Sequence, residues 1–95
     1  MKVRLAPQVV EFVRSLAPEP RRRLRAALRD LGKGHGDVKP LEGPLQDYSR
    51  LRVGPYRVIL SYSKFRTIDC VFAERRSIVY EVFADVMIDR ILRGG

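Results

Sequence analysis

The chain has 95 residues, room for one domain with one modest core. Apolar residues make up 45% of it, which excludes a disordered basic tail. Lys and Arg number 19 against 11 Asp and Glu, a formal net charge of +8, so the partner to expect is a polyanion: nucleic acid, an anionic membrane or an acidic protein.

Lys2–Leu5 reads as a short first strand. No long apolar run follows Met1, and no apolar stretch approaches the roughly 18 residues of a membrane span, so the expected location is the cytoplasm. Pro7 suits the first turn of a helix, where its missing N–H costs nothing, and Val9, Val10, Val13 and Leu16 follow at helical spacing. Pro18-Glu19-Pro20 breaks this helix. A second one begins at once, with Leu24, Leu28 and Leu31 on one stripe and Arg21, Arg22, Arg23, Arg25 and Arg29 largely off it. Gly32 and Gly34 end it, which makes an α-hairpin. Residues 32–44, punctuated by Gly and Pro, read as one loop inside the domain.

From Tyr48 the hydrophobic period changes to two. Gly54-Pro55 is the signal of a type II′ hairpin turn, with Gly supplying the positive φ and Pro fitting the next position. Residues 56–62 form the return strand, and residues 67–74 a third strand of the meander. Cys70, in the run Cys70-Val71-Phe72, is the single cysteine; it rules out an internal disulfide and reads as a small buried hydrophobe. Ser77 is the expected N-cap of a last helix. Ile78, Val82 and Val86 form one apolar row on it, and Val79, Phe83, Met87 and Ile91 a second, before Gly94-Gly95. Its β-branched content leaves an edge strand over residues 78–83 as the alternative. The order is β-α-α-β-β-β-α: an α+β domain spanning residues 1–95, with the α-hairpin and the last helix packed on one face of a small antiparallel sheet.

A two-residue turn at Gly54-Pro55 pairs Val53 with Tyr56, Arg52 with Arg57, Leu51 with Val58 and Arg50 with Ile59. One face then carries Leu51, Val53, Tyr56, Val58, Leu60 and Tyr62, and belongs on the core. The other carries Tyr48, Arg50, Arg52, Arg57, Ile59 and Ser61. Like charges directly opposite each other are destabilising, so Arg52 and Arg57 point to an anionic ligand. By parity Ile68, Cys70 and Phe72 look inward on the third strand, and Val71, Ala73 and Arg75 look onto the arginine side. Arg76 and Tyr80 follow nearby. Arginines interleaved with Tyr48 and Tyr80 suit the gripping of phosphates and the stacking of bases. The plainer alternative is a wet, charged outer face.

The residues Leu41-Glu42-Gly43, the run from Tyr48 to Ile59 (Tyr-Ser-Arg-Leu-Arg-Val-Gly-Pro-Tyr-Arg-Val-Ile), and Arg75-Arg76 followed by Val79-Tyr80 resemble the signature of the RelE/ParE toxin superfamily. The element order matches as well, so the resemblance covers almost the whole chain. It implies the toxin of a type II toxin–antitoxin system. In the RelE-like branch this is an mRNA interferase, an endoribonuclease that cuts mRNA on the ribosome without metal or other cofactor and so inhibits translation. It also implies a catalytic set of Arg57, Arg75 (or Arg76 if the register slips), Tyr80 and Arg50, with Arg52, Arg76 and Tyr48 holding RNA. The type member has two lysines on this strand where the present chain has Tyr48 and Arg50. Arg is a poor proton acceptor, so the general base falls to another group, with Glu74 and Glu81 near by position. His35 reads as a solvated loop residue, and no cluster has metal-ligand spacing. The alternative is a ParE-like inhibitor of DNA gyrase, a binding module without chemistry of its own. Either toxin implies a cognate acidic antitoxin, laid along the last helix or the groove beside the α-hairpin.

Overall fold

The computed structural model describes residues 1–92, the last three by their backbone alone. Gly94-Gly95, named above after the last helix, lie outside the described residues, and Ile91 is described by its backbone alone. The elements are β1 (Lys2–Leu5), α1 (Pro7–Ser15), α2 (Pro18–Gly32), β2 (Asp37–Pro40), a 3-10 turn (Gly43–Leu45), β3 (Ser49–Val53), β4 (Tyr56–Ser63), β5 (Thr67–Arg75) and α3 (Val79–Leu92).

Proline opens both helices of the hairpin, so the break falls at Leu16-Ala17 and Pro18 begins α2. Arg21 closes the corner. Its guanidinium donates to the carbonyl oxygens of Leu16 (2.9 Å) and Arg14 (3.3 Å), acceptors that the end of α1 leaves unpaired. The stripe Val9, Val13, Leu16, Leu24, Leu28 and Leu31 then lies on the sheet over Leu51, Val53, Tyr56, Val58, Leu60, Ile68, Cys70 and Ala73. Leu24 is fully buried, a burial that contributes about 2–3 kcal/mol. Burial pushes the Cys70 thiol up to about 12, so it stays protonated at neutral pH and packs as a small hydrophobe.

The strand order is β1-β5-β4-β3-β2. Strands β2 to β5 form an antiparallel meander, whereas β1 joins its edge parallel to β5, with Leu5 beside Cys70. The expected register of the β3–β4 hairpin is found: Val53 with Tyr56, Arg52 with Arg57, Leu51 with Val58, Arg50 with Ile59. Gly54 has φ +56°, and because proline cannot take a positive φ at the next position, the turn is of the II′ kind.

Five expectations fail. Residues 37–40 are not loop: they pair antiparallel with β3. The meander carries a bulge: Leu60 pairs with Cys70 but Ile59 with Phe72, leaving Val71 over. The bulge reverses the parity of the rest of β5, so Phe72 joins Ile59 on the second face and Ala73 joins the hairpin core. Nor does α3 share a face with the α-hairpin. Val79 and Phe83 pack on Ile59 and Phe72, on the opposite side of the sheet, with Leu41, Leu45 and Tyr48 around them. A helix, not an edge strand, therefore covers this second cluster. Ile78 and Val86 stay partly exposed. The helix starts at Val79, one residue too late for Ser77 to be its N-cap; Ser77 sits in the preceding turn. Tyr62, expected in the core, is 55% exposed.

Candidate nucleic-acid interface

Paired residues share a face, so the registers can be read straight across the second face of the sheet. One rung runs Asp37, Arg52, Arg57, Glu74 from β2 to β5. The next runs Lys39, Arg50, Ile59, Phe72. The facing arginines Arg52 and Arg57 are thus flanked by a carboxylate on each side, and part of their repulsion is answered inside the sheet.

Asp37 holds two arginines at once. Its Oδ2 forms an ion pair with Arg52 Nε at 3.0 Å, and its Oδ1 accepts from an Arg50 Nη at 3.1 Å; the same Arg50 nitrogen donates to the Asp37 carbonyl oxygen at 2.8 Å. The hydrogen bond from Arg50, helped by the charges of Arg50, Arg52 and Arg57, holds the Asp37 carboxyl below its usual value. Arg57 is 6% exposed, and one Nη donates to the carbonyl oxygens of Gly54 and Tyr56, each at 2.8 Å. Burial lowers its pKa, Tyr80 acts in the opposite sense, and the charges of Arg76, Arg50 and Arg52 lower it further. All four groups therefore act on the Arg57 charge. The Arg76 backbone N–H donates to the Pro55 carbonyl at 2.8 Å, which ties the end of β5 to the hairpin turn.

Two residues singled out in the sequence do not join them. The bulge puts Arg75 opposite Tyr56, on the hairpin side, where its guanidinium carbon lies 5.8 Å from the Tyr56 ring centre. Arg76, the fallback position, takes its place beside Arg57. Tyr48 packs edge-on to Phe83, ring centres 5.0 Å apart, and its hydroxyl lies 3.7 Å from Met87 Sδ. It serves the cluster under α3 rather than the surface. Glu74 lies opposite Arg57 and Glu81 is exposed on α3. His35 borders a small cavity with Leu31 and Tyr62, apart from the arginines.

Beside the arginines, between β2, β3 and the first turn of α3, an open cavity of about 510 Å³ is bordered by Lys39, Glu42, Arg50 and Tyr80. Reading residues 32–44 as loop hides the roles of Asp37, Lys39 and Glu42. The alternation Asp37-Val38-Lys39 was the available signal, too short beside the flanking Gly and Pro. Among the described residues no three His, Cys, Asp or Glu side chains gather as a metal site, and no helix is long and apolar enough to cross a membrane.

No family model matches the chain, and no curated protein matches it in sequence. Solved structures do match. The RelB–RelE antitoxin–toxin complex of Methanococcus jannaschii superposes with a TM-score of 0.64 at 21% identity, over 83% of this chain and 96% of that one. The toxin–antitoxin complex RelBE2 of Mycobacterium tuberculosis gives 0.63 at 18%, over 79% and 96%. The YoeB/ParE toxin of Agrobacterium tumefaciens gives 0.64 at 16%, over 80% and 99%. The chain has the RelE/YoeB/ParE toxin fold.

Proposed function

We propose that this chain is the toxin of a toxin–antitoxin pair and that it cleaves mRNA on the ribosome. The observation that carries the reading is the gathering of Arg50, Arg52, Arg76 and Tyr80 around Arg57 on a sheet face beside an open cavity. In the reaction a ribose 2′-OH attacks the adjacent phosphate and the bond to the 5′-oxygen breaks. The transition state carries extra negative charge on the phosphoryl oxygens, which fixed, always-charged donors stabilise without reorganising. Arg57 binds those oxygens; its anchorage to the turn carbonyls fixes where the charge sits. Arg76 supplies the second charge and Arg50 a third. Tyr80 stacks on the target base, and Arg52, 58% exposed, holds a flanking phosphate.

The matching complexes from Methanococcus jannaschii and Mycobacterium tuberculosis pair a toxin with an antitoxin, and we assign an acidic antitoxin partner here too. Its receptor is the apolar groove of Val3, Leu5 and Leu28, rimmed by Arg25, Arg29 and Lys33, or the exposed Ile78 just before α3 with Val86 and Ile88 on it.

A second reading, gyrase inhibition, is favoured by one feature: Tyr48 and Arg50 stand where the type member has lysines, so the strand offers no lysine as a proton acceptor. Induction in cells, with Arg57→Ala as control, separates the two. Cleavage reading requires new mRNA 5′ ends inside translated frames that vanish in Arg57→Ala. Growth arrest with intact mRNA sinks it and sends the question to a gyrase supercoiling assay.

A further inference from the structure

We infer that the proton transfers of this reaction are made by Lys39 and Glu42, which border the cavity beside Arg50 and Tyr80. The inference rests on the endonuclease reading above and assigns the two roles that the arginines cannot fill.

The need is chemical. Attack by the 2′-oxygen requires a group to take its proton, and departure of the 5′-oxygen requires a group to give one. Arg50, Arg52, Arg57 and Arg76 stay protonated and neither accept nor readily release a proton. The other charges of the rung are committed: Asp37 holds Arg50 and Arg52. Glu74 stands in the arginine rung, its Oε1 taken by the Arg75 backbone N–H at 2.9 Å.

Lys39 and Glu42 differ from these. Register places Lys39 directly across from Arg50, on the arginine face. Glu42 sits at the start of the 3-10 turn, between Leu41 and Leu45, which pack on the cluster under α3 and fix the segment in place. The Leu41 backbone N–H donating to the Tyr48 carbonyl at 2.9 Å closes the loop against β3. Among the described residues neither Lys39 nor Glu42 makes an ion pair or a side-chain hydrogen bond. An unengaged carboxylate and an unengaged ammonium thus border one cavity with Arg50 and Tyr80.

The step balances. The Glu42 carboxylate takes the 2′-OH proton as the 2′-oxygen forms its bond to phosphorus. The bond from phosphorus to the 5′-oxygen breaks, and that oxygen takes a proton from the Lys39 ammonium. The products are a 2′,3′-cyclic phosphate and a 5′-OH, and exchange with water returns both side chains to their starting forms.

The test is single-turnover cleavage of ribosome-bound mRNA by the full-length toxin, with an ordinary scissile linkage and with one whose leaving 5′-oxygen is replaced by sulfur. A thiolate leaves without being protonated. Lys39→Ala and Lys39→Arg should each slow the ordinary substrate about 10²-fold or more, and sulfur should restore them to within about tenfold of wild type. Glu42→Gln should be slowed about as much on both substrates, because its proton comes from the 2′-OH. Both side chains are exposed, and the melting transition of each variant checks that it folds. Cleavage at the wild-type rate by Lys39→Ala or Glu42→Gln, with Arg57→Ala inactive, overturns this assignment and leaves the endonuclease reading standing. A Lys39→Ala defect that sulfur does not relieve overturns the acid role. Wild-type toxin that cuts neither substrate overturns both readings together.

Discussion

Asp37 shows what one carboxylate does for a crowded basic face. It bridges Arg50 and Arg52, and the hydrogen bond from Arg50 holds its carboxyl below the ordinary 3.8. A folded-state pKa below the unfolded value means that the folded form binds fewer protons. The stability Asp37 contributes is therefore complete above the unfolded value and is lost as pH falls through the folded one. Asp69 adds a contribution of the same sign, its carboxyl held down first by the hydrogen bond from Arg4, with Arg4 Nε at 2.7 Å. Both carboxylates lie at the surface, so the effect is modest and screened by salt. Asp37→Asn should lower the urea midpoint at neutral pH and leave a shallower fall between pH 5 and pH 2, both values being approximate bounds for carboxylate titration. Parallel acid limbs in wild type and variant would mean that Asp37 is not a stabilising counterion. The same substitution frees Arg50 and Arg52, so affinity for single-stranded RNA at low salt should rise and its salt dependence steepen. The arginines of this face were legible in the sequence, because alternation and a two-residue turn fix which residues face each other. Asp37 was not, since its place depends on a strand of only four residues.

At the scale of elements, the hairpin and the bulge make opposite cases. The β3–β4 register follows from Gly54-Pro55 and from the period of two, both local signals. The α-hairpin is likewise written in its prolines and its leucine stripe. The bulge at Val71 has no such mark: Cys70-Val71-Phe72 is apolar throughout, so either parity buries something. Its effect is large. It sends Phe72 to the second face, creates the cluster that α3 covers, and leaves Arg76 rather than Arg75 beside Arg57. Phe83 is the centre of that cluster, in ring contact with Tyr48 at 5.0 Å and Phe72 at 5.9 Å. Phe83→Ala should cost about 3–5 kcal/mol where the lost contacts are fully expressed. Because α3 is the last element of the described chain and rests on this one cluster, the loss should appear mainly as local opening. Hydrogen exchange should then speed up at the amides of α3, with the amides of β4 protected as before. Uniform loss of protection across β4 and α3 would show instead that the two clusters unfold as one unit.

Over the whole molecule the net charge of +8 sits on a body of 38 × 30 × 22 Å. The Debye length is about 30 Å at 0.01 M salt and about 8 Å at 0.15 M. At low salt every charge feels nearly every other; near physiological salt it feels only its neighbours. Added salt therefore acts in two opposed ways. It weakens the surface ion pairs, such as Arg22 with Glu19 and Arg14 with Glu11, which contribute little to begin with. It also relieves the repulsion among the unmatched arginines, which grows with the excess charge. With such an excess the second effect wins. The melting temperature should rise between these two salt concentrations, by about 4–8 °C if the relief is near 1 kcal/mol for a domain of this size. Arg25 and Arg29 are exposed on α2 and have no ion pair among the described residues. Replacing both by Gln lowers the charge to +6 (8 minus 2) without touching the core, and should shrink the salt response. A double variant with an unchanged response would place the repulsion in the arginine face around Arg57. A melting temperature that falls with salt would mean that the ion pairs outweigh it. The same two arginines rim the apolar groove beside β1, so an acidic partner seated there would do by contact what salt does by screening. Its binding should raise the melting temperature further, and by less in the double variant.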